Sequence, residues 1–131
     1  PQVLQAFDLS KKVIVFEIDF DKASRLSRKK PARFQPLPKF PLITRDIALV
    51  LNKSVQAAHV ADTIRAIAPP ILKQIQLFDT YTGEQVPPGE KSLAFSLVFQ
   101  SEDRTLVNSE VNKFMEELVT HLKETVGAIL R

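Results

Sequence analysis

The sequence predicts an α+β domain whose strands and helices follow the order β-α-β-β-α-β. Apolar residues alternate along Ser92–Gln100, as in a strand with one buried face. Two other stretches, after Leu51 and after Asn108, repeat apolar residues at helical spacing. Pro and Gly separate these segments. Two helices on one face of a four-stranded antiparallel sheet form a ferredoxin-like domain, here preceded by an N-terminal strand and linker extension.

The first half of the domain contains one strand and one helix. Asp46–Leu51 is the strand, because its apolar side chains recur at every second position. Ser54 is predicted to cap the following helix, since a serine oxygen can accept a free backbone N–H there. Apolar residues then recur at helical spacing until Pro69 and Pro70 end the helix.

The second half contains a hairpin, a long helix and a last strand. Leu72–Phe78 is the second strand, and Thr82–Lys91 has two Gly and two Pro, which is typical of a turn. In the third strand one face is apolar, and the other carries small or polar residues and is predicted to stay open. Asn108 is predicted to cap the long helix and Gly127 to end it, with residues 128–131 as a short strand.

Three zones divide the chain. Residues 1–21 contain Val13–Phe20, a β-branched and aromatic run predicted to be a strand. Residues 22–42 are basic and rich in proline, which predicts an extended linker. Residues 43–131 form the ferredoxin-like domain.

Composition and charge narrow the function classes. The chain is 44% hydrophobic and 25% charged, has no cysteine, and contains no apolar run long enough to span a bilayer. No secretory signal is expected at residues 1–10, and a cytoplasmic location is favoured. The net charge of +3 arises in residues 1–32, since residues 33–131 hold eleven basic and eleven acidic side chains. The overall charge is therefore weak support for nucleic-acid binding.

No residue pattern predicts catalysis or a metal site. His59 and His121 lie beside apolar helix stripes without a carboxylate cluster, and the three glycines form no phosphate loop. The open face of the third strand also lacks the aromatic residues on which RNA-recognition modules stack bases. Recognition of a nucleotide would instead use strand ends, the loop, or Phe78, for which burial in the core is the alternative.

A series of motifs resembles the ferredoxin-fold anticodon-binding domain at the C-terminus of the bacterial-type phenylalanyl-tRNA synthetase β subunit. In order, they are F-x-P-x-x-K-F-P from Phe34, R-D-I-A-L-V from Arg45, L-F-D-T-Y-T-G from Leu77, P-x-G-x-K-S-L-A-F from Pro87, R-T-L from Arg104 and G-x-x-L-R from Gly127. Residues 1–21 resemble the last hairpin of the module that precedes this domain in bacterial β subunits.

The resemblance implies a non-catalytic appendage of an (αβ)2 phenylalanine–tRNA ligase that uses ATP and Mg²⁺, with the α subunit and the tRNA(Phe) anticodon stem-loop as partners and neither DNA nor a membrane. It also implies that Asp79, Tyr81, Ser92 and Arg131 contact the anticodon. A carboxylate suits the N–H donors of guanine, and a tyrosine ring can stack on a base. Capping and anchoring of the hairpin turn are the alternatives for Asp79 and Tyr81.

Some placements remain open. Asp79 and Ser92 are expected at facing ends of neighbouring strands, whereas Arg131 is expected on the other side of the sheet, where it would serve a different base. Arg45 and Arg104 are weaker candidates for phosphate or base contacts. A docking domain for the partner subunit is one alternative function. An amino-acid-binding module of ACT type is another, although the turn after the first strand lacks the glycines it would need.

Overall fold

A computed structural model describes residues 4, 6–8, 10–11, 13–26 and 37–131 of the chain. The chain divides into two compact units, residues 1–36 and residues 37–131.

The N-terminal unit contains a short helix where a strand is predicted. Residues 13–19 have no regular secondary structure, and helix α1 spans Phe20–Leu26. The Asp19 carboxylate accepts the backbone N–H of Lys22 at 3.0 Å, as at a helix N-terminus. The predicted strand over Val13–Phe20 is therefore wrong. Its composition suits a strand, but a strand needs a neighbour to satisfy its backbone, and the described residues of this unit contain none.

The first residues of the predicted linker overlap the end of this helix. Residues 22–26 are helical, so the extended connector predicted from residue 22 is wrong for these five positions. Residues 37–42 have neither helix nor strand. The intervening proline-containing stretch, residues 27–36, lies outside the described residues, as do residues 1–3, 5, 9 and 12 of the predicted hairpin.

The C-terminal unit is the predicted ferredoxin-like domain. Its elements, in chain order, are β1 Ile43–Asn52, α2 Ala57–Ile67, β2 Leu72–Tyr81, β3 Glu90–Phe99, α3 Asn108–Val126 and β4 Ile129–Leu130. The strands form one antiparallel sheet in the order β2-β3-β1-β4. The predicted order of elements and the four-stranded sheet are confirmed.

Both helices pack on one face of the sheet. Alternate residues of β1 and β3 are buried against the apolar stripes of α2 and α3. Phe99 packs edge-on against Phe114, with ring centroids 5.8 Å apart. Alternate residues from Ala94 to Gln100 point the other way and remain partly exposed, so the sheet keeps the predicted open face. Within the described part of the chain, no helix is long and apolar enough to cross a membrane.

Two predicted helix caps are placed differently. Helix α2 begins at Ala57 with Gln56 as its N-cap residue, so the capping role predicted for Ser54 is wrong. Instead, the Asn52 side-chain oxygen accepts hydrogen bonds from the backbone N–H and the hydroxyl of Ser54, at 2.9 and 2.7 Å. An asparagine side chain can close a tight turn in this way. Asn108 is the first residue of α3, not its cap.

The predicted end of α3 is confirmed. Gly127 ends the helix in the left-handed conformation with φ of 65°. The chain then turns directly into β4.

Candidate nucleic-acid interface

A β-bulge in β2 places Asp79 and Tyr81 on the open face of the sheet. Leu77 and Asp79 pair with successive residues of β3, so Phe78 is an extra residue in the strand. Leu77 lies on the side of the helices. Plain alternation from Leu77 would also turn Asp79 towards the helices, whereas the bulge turns Asp79 and then Tyr81 outward.

The same bulge exposes Phe78. Its side chain is 55% exposed, so the alternative that Phe78 is a core residue is wrong. Phe78 therefore stays a candidate base contact beside Asp79.

Asp79 and Ser92 lie near each other across the β2–β3 pair. Tyr81 pairs directly with Ser92, and Asp79 pairs with Ala94 two positions along. This register agrees with the expectation that Asp79 and Ser92 occupy facing strand ends. Asp79 is exposed, and its carboxylate makes no hydrogen bond or ion pair with another described residue, including those of the hairpin turn. Ser92 is only 4% exposed.

Arg131 lies on the expected side of the sheet, but its side chain reaches the Tyr81 end. It follows β4, on the edge opposite β2. Its guanidinium carbon nevertheless lies 5.7 Å from the centroid of the Tyr81 ring, within the range of a cation–π contact. On the central strands, the residue opposite Tyr81 is Ser92 and the residue beside Arg131 is Ala48, and both are small. The positions of the strands follow from the sequence pattern, whereas the reach of the Arg131 side chain across the sheet does not.

Two residues of the β2–β3 loop complete the contact. Arg131 donates from Nη2 to the Gln85 Oε1 atom at 2.6 Å. The Tyr81 ring lies against Gly83, where a Cβ atom would be 2.1 Å from the phenolic oxygen. We call Tyr81, Gly83, Gln85 and Arg131 the Tyr81 cluster. In the sequence, Gly83 and Gln85 both belong to the segment Thr82–Lys91 that predicts a turn, and Gly83 also ends the motif L-F-D-T-Y-T-G, but neither pattern indicates a contact with Arg131.

Arg45 and Arg104 do not join this cluster. Arg45 donates to the side chain of Asn108 at 2.9 Å. Arg104 donates to Glu110 at 2.8 Å. This hydrogen bond lowers the pKa of Glu110 and raises that of Arg104. The guanidinium groups of both arginines thus contact the first turn of α3, on the helix side of the sheet.

The open face offers a limited set of chemical groups. Asp79 supplies a free hydrogen-bond acceptor, Tyr81 an aromatic ring and Arg131 a planar cation. Within the described ranges, no three His, Cys, Asp or Glu side chains come together as metal ligands do. The arrangement suits recognition of a planar polar ligand by stacking and hydrogen bonding.

Comparison with known proteins identifies the family. A family model of the ferredoxin-fold anticodon binding domain matches residues 38–131. Along its whole length the chain is similar to proteins named phenylalanine–tRNA ligase beta subunit, with 45% identity to that of Moorella thermoacetica and 37% to those of Clostridium tetani and Geobacillus kaustophilus. The chain spans 16% of the length of each of these relatives. With most of its length matched by the family model, the chain belongs to the family of ferredoxin-fold anticodon binding domains.

Proposed function

We propose that this chain is the anticodon-binding part of a phenylalanine–tRNA ligase β subunit, and that it binds the anticodon loop of tRNA(Phe) on its open sheet face. The observation that carries the proposal is the position of Asp79 and Tyr81. Both face outward beside Ser92, on a domain whose family is named for anticodon binding.

Asp79 is proposed to select the first anticodon base. The phenylalanine anticodon begins with guanine, whose Watson–Crick edge presents two neighbouring N–H donors. An ionised carboxylate accepts both, and Asp79 is exposed and has no partner among the described residues. Adenine lacks this pair of donors, so the same carboxylate discriminates against it.

Tyr81, Ser92 and Arg131 are proposed to hold the base and its neighbours. The Tyr81 ring is 37% exposed and supplies a stacking surface. The Arg131 guanidinium can stack on a base or donate to an acceptor edge. Ser92 provides a hydroxyl at the base of the site, with little exposed surface of its own.

The activity of the full-length protein is part of the same proposal. The relatives of this chain are named as ligases. We therefore infer that the full-length protein joins phenylalanine to its tRNA in the cytoplasm, with ATP and Mg²⁺. It would do so together with an α subunit in an (αβ)2 assembly. We assign neither a catalytic step nor a Mg²⁺ ligand to the described residues, among which no three His, Cys, Asp or Glu side chains come together.

The test is binding of two anticodon stem-loops, one with guanine and one with adenine as the first anticodon base. Asp79→Ala should weaken binding of the guanine loop by roughly 5- to 100-fold, the range expected for a bidentate base contact, and leave the adenine loop unchanged. Asp62→Ala is the matched control, since Asp62 is an exposed aspartate on α2, in the helical layer. If Asp79→Ala binds both loops as the parent chain does, Asp79 does not select the base.

A docking role towards the partner subunit is the second candidate. Residues 37–131 carry ten basic and eleven acidic side chains, so this unit lacks the excess positive charge of most RNA-binding domains. Exposed apolar side chains also lie near the site, including Phe78 and Ile129. Failure of the parent chain to bind either stem-loop, together with binding to the α subunit, would favour docking.

A further inference from the structure

Gly83 is the only glycine of the chain whose backbone does not itself call for glycine. Gly89 and Gly127 have φ of 88° and 65°, in the left-handed region that other residues avoid, and a Cβ atom at either would meet nothing within 4 Å. Gly83 has no positive φ. A Cβ atom there would instead lie 2.1 Å from Oη and 2.4 Å from Cζ of Tyr81. Glycine is therefore required at position 83 because a side chain there would occupy the space of the Tyr81 ring.

Gln85 restrains the side chain of Arg131, as Gly83 accommodates the ring of Tyr81. The backbone N–H of Arg131 donates to the Ala48 carbonyl at 2.9 Å, which fixes the main chain of this residue at the sheet edge. The direction of its long side chain is then set by two contacts, the 2.6 Å hydrogen bond to Gln85 and the Tyr81 ring. Without Gln85, an exposed arginine side chain would sample many rotamers.

We propose that Gly83 and Gln85 are positioning residues that assemble Tyr81 and Arg131 into one ligand-binding unit before a nucleotide arrives. Gly83 leaves the space that the Tyr81 ring fills, and Gln85 holds the guanidinium against that ring. The inference rests on the proposed anticodon binding and deepens it, since it assigns Tyr81 and Arg131 to one site. A preassembled pair loses less conformational freedom on binding and therefore binds more tightly than two independent side chains.

The position of the Tyr81 ring in the absence of RNA can be followed by spectroscopy. Tyr81 is its single tyrosine, and it has no tryptophan, so tyrosine fluorescence and near-ultraviolet circular dichroism in the tyrosine region report this ring alone. Gly83→Ala should change both signals, because the ring must move away from the new methyl group. The thermal midpoint should stay nearly unchanged, since the displaced atoms are the far end of a side chain and the backbone at Gly83 suits alanine. Unchanged tyrosine signals would overturn the role of Gly83.

RNA binding tests whether this positioning matters. Gly83→Ala should weaken binding of the guanine stem-loop several-fold in the parent chain. The same change in a Tyr81→Ala background should have no further effect, because the ring it displaces is gone. Equal losses in both backgrounds would mean that Gly83 acts on the loop and not through Tyr81, and would overturn the inference.

Gln85 is tested in the same way. Gln85→Leu should weaken stem-loop binding several-fold in the parent chain and have no effect in an Arg131→Ala background. Gln56→Leu is the control, because Gln56 is exposed at the start of α2 and its side chain makes no capping hydrogen bond. A Gln85→Leu variant that binds as the parent chain does would overturn the role of Gln85.

The two proposals fail in different ways. If Tyr81→Ala and Arg131→Ala leave RNA binding unchanged, the proposed role of these two residues in anticodon binding is wrong. The positioning inference then fails as well. If those variants bind weakly while Gly83→Ala and Gln85→Leu bind normally, the proposed function stands and only the positioning inference fails.

Discussion

Asp79 and Ser92 are unequally available to a ligand, although they lie on adjacent strands. Asp79 presents an exposed carboxylate, whereas Ser92, opposite Tyr81 on the next strand, is only 4% exposed. A base can therefore meet Asp79 with little rearrangement, while contact with the Ser92 hydroxyl uses a small remaining surface. We expect base selection to depend mainly on Asp79, with Ser92 making the smaller contribution.

Glu110 is the residue whose ionisation should be visible in the stability of the domain. Its carboxylate accepts from Arg104 and, at 3.4 Å, from the backbone N–H of Val107 at the start of α3. The hydrogen bond from Arg104 lowers the pKa of Glu110 in the folded chain. A depressed folded pKa stabilises the native state above the unfolded pKa, and this contribution disappears as the pH falls through the folded value.

Glu110→Gln tests this pH dependence. The variant should melt below the parent chain at neutral pH, and the gap in thermal midpoint should close as the pH falls below the ordinary glutamate pKa of about 4.3. Glu117→Gln is a suitable control, because Glu117 has only a 4.0 Å ion pair with Lys113. A gap that is constant from neutral to acid pH would show that the ionised carboxylate is not what stabilises the start of α3.

Elements with a strong local pattern could be predicted from the sequence. In β3, alternation alone identifies the buried face, since one side of the strand must face the helices and the other solvent. In α3, apolar spacing and Gly127 together define the buried stripe and the end of the helix. In these elements local preference and tertiary packing favour the same conformation.

Features that depend on a distant partner, or on which of several nearby hydrogen bonds forms, could not be predicted. Val13–Phe20 has strand composition, but a strand also requires a neighbour that the local sequence cannot supply. Ser54 has the chemistry of a cap, but Asn52 competes for its hydrogen bonds. The bulge at Phe78 arises from pairing between two strands and leaves no mark in the alternation of one. The candidate site residues were therefore named by resemblance, while their arrangement required the fold.

Gly127 links the end of α3 to β4, and its conformation gives a prediction at the level of the element. Its φ of 65° is costly for a residue with a Cβ atom, although there is room for one. Gly127→Ala should destabilise the domain by about 1–2 kcal/mol, measured by urea unfolding. Gly83→Ala is the contrasting variant and should be nearly neutral in the same assay. Similar destabilisation by both would mean that φ does not explain the glycine at the helix end.

At the scale of the whole molecule, charge is distributed unevenly. The stretch from Lys22 to Arg45 has eight basic residues and no acidic one, whereas residues 37–131 are close to neutral. Nonspecific attraction to phosphates should therefore come mainly from the basic stretch, and base selection from the open sheet face.

Salt dependence separates these two contributions. Replacing Lys29 and Lys30 with serine should make the decrease of stem-loop affinity with salt shallower, by about 0.7 in the logarithmic slope for each phosphate that the lysines no longer neutralise. The preference for guanine over adenine should not change. Lys113→Ser with Lys123→Ser on α3 is the charge-matched control. An unchanged slope in the Lys29 and Lys30 variant would mean that the basic stretch does not contact the RNA.

The bulge in β2 also determines where this strand can change in length during evolution. Deleting Phe78 would restore plain alternation and leave Asp79 and Tyr81 facing outward, whereas deleting Thr80 would turn Tyr81 towards the helices. The tyrosine signal of the two deletion variants distinguishes these outcomes, since only the second should alter the environment of the ring. Insertions and deletions among related sequences are thus expected at the position of Phe78, and the spacing from Asp79 to Tyr81 is expected to stay fixed.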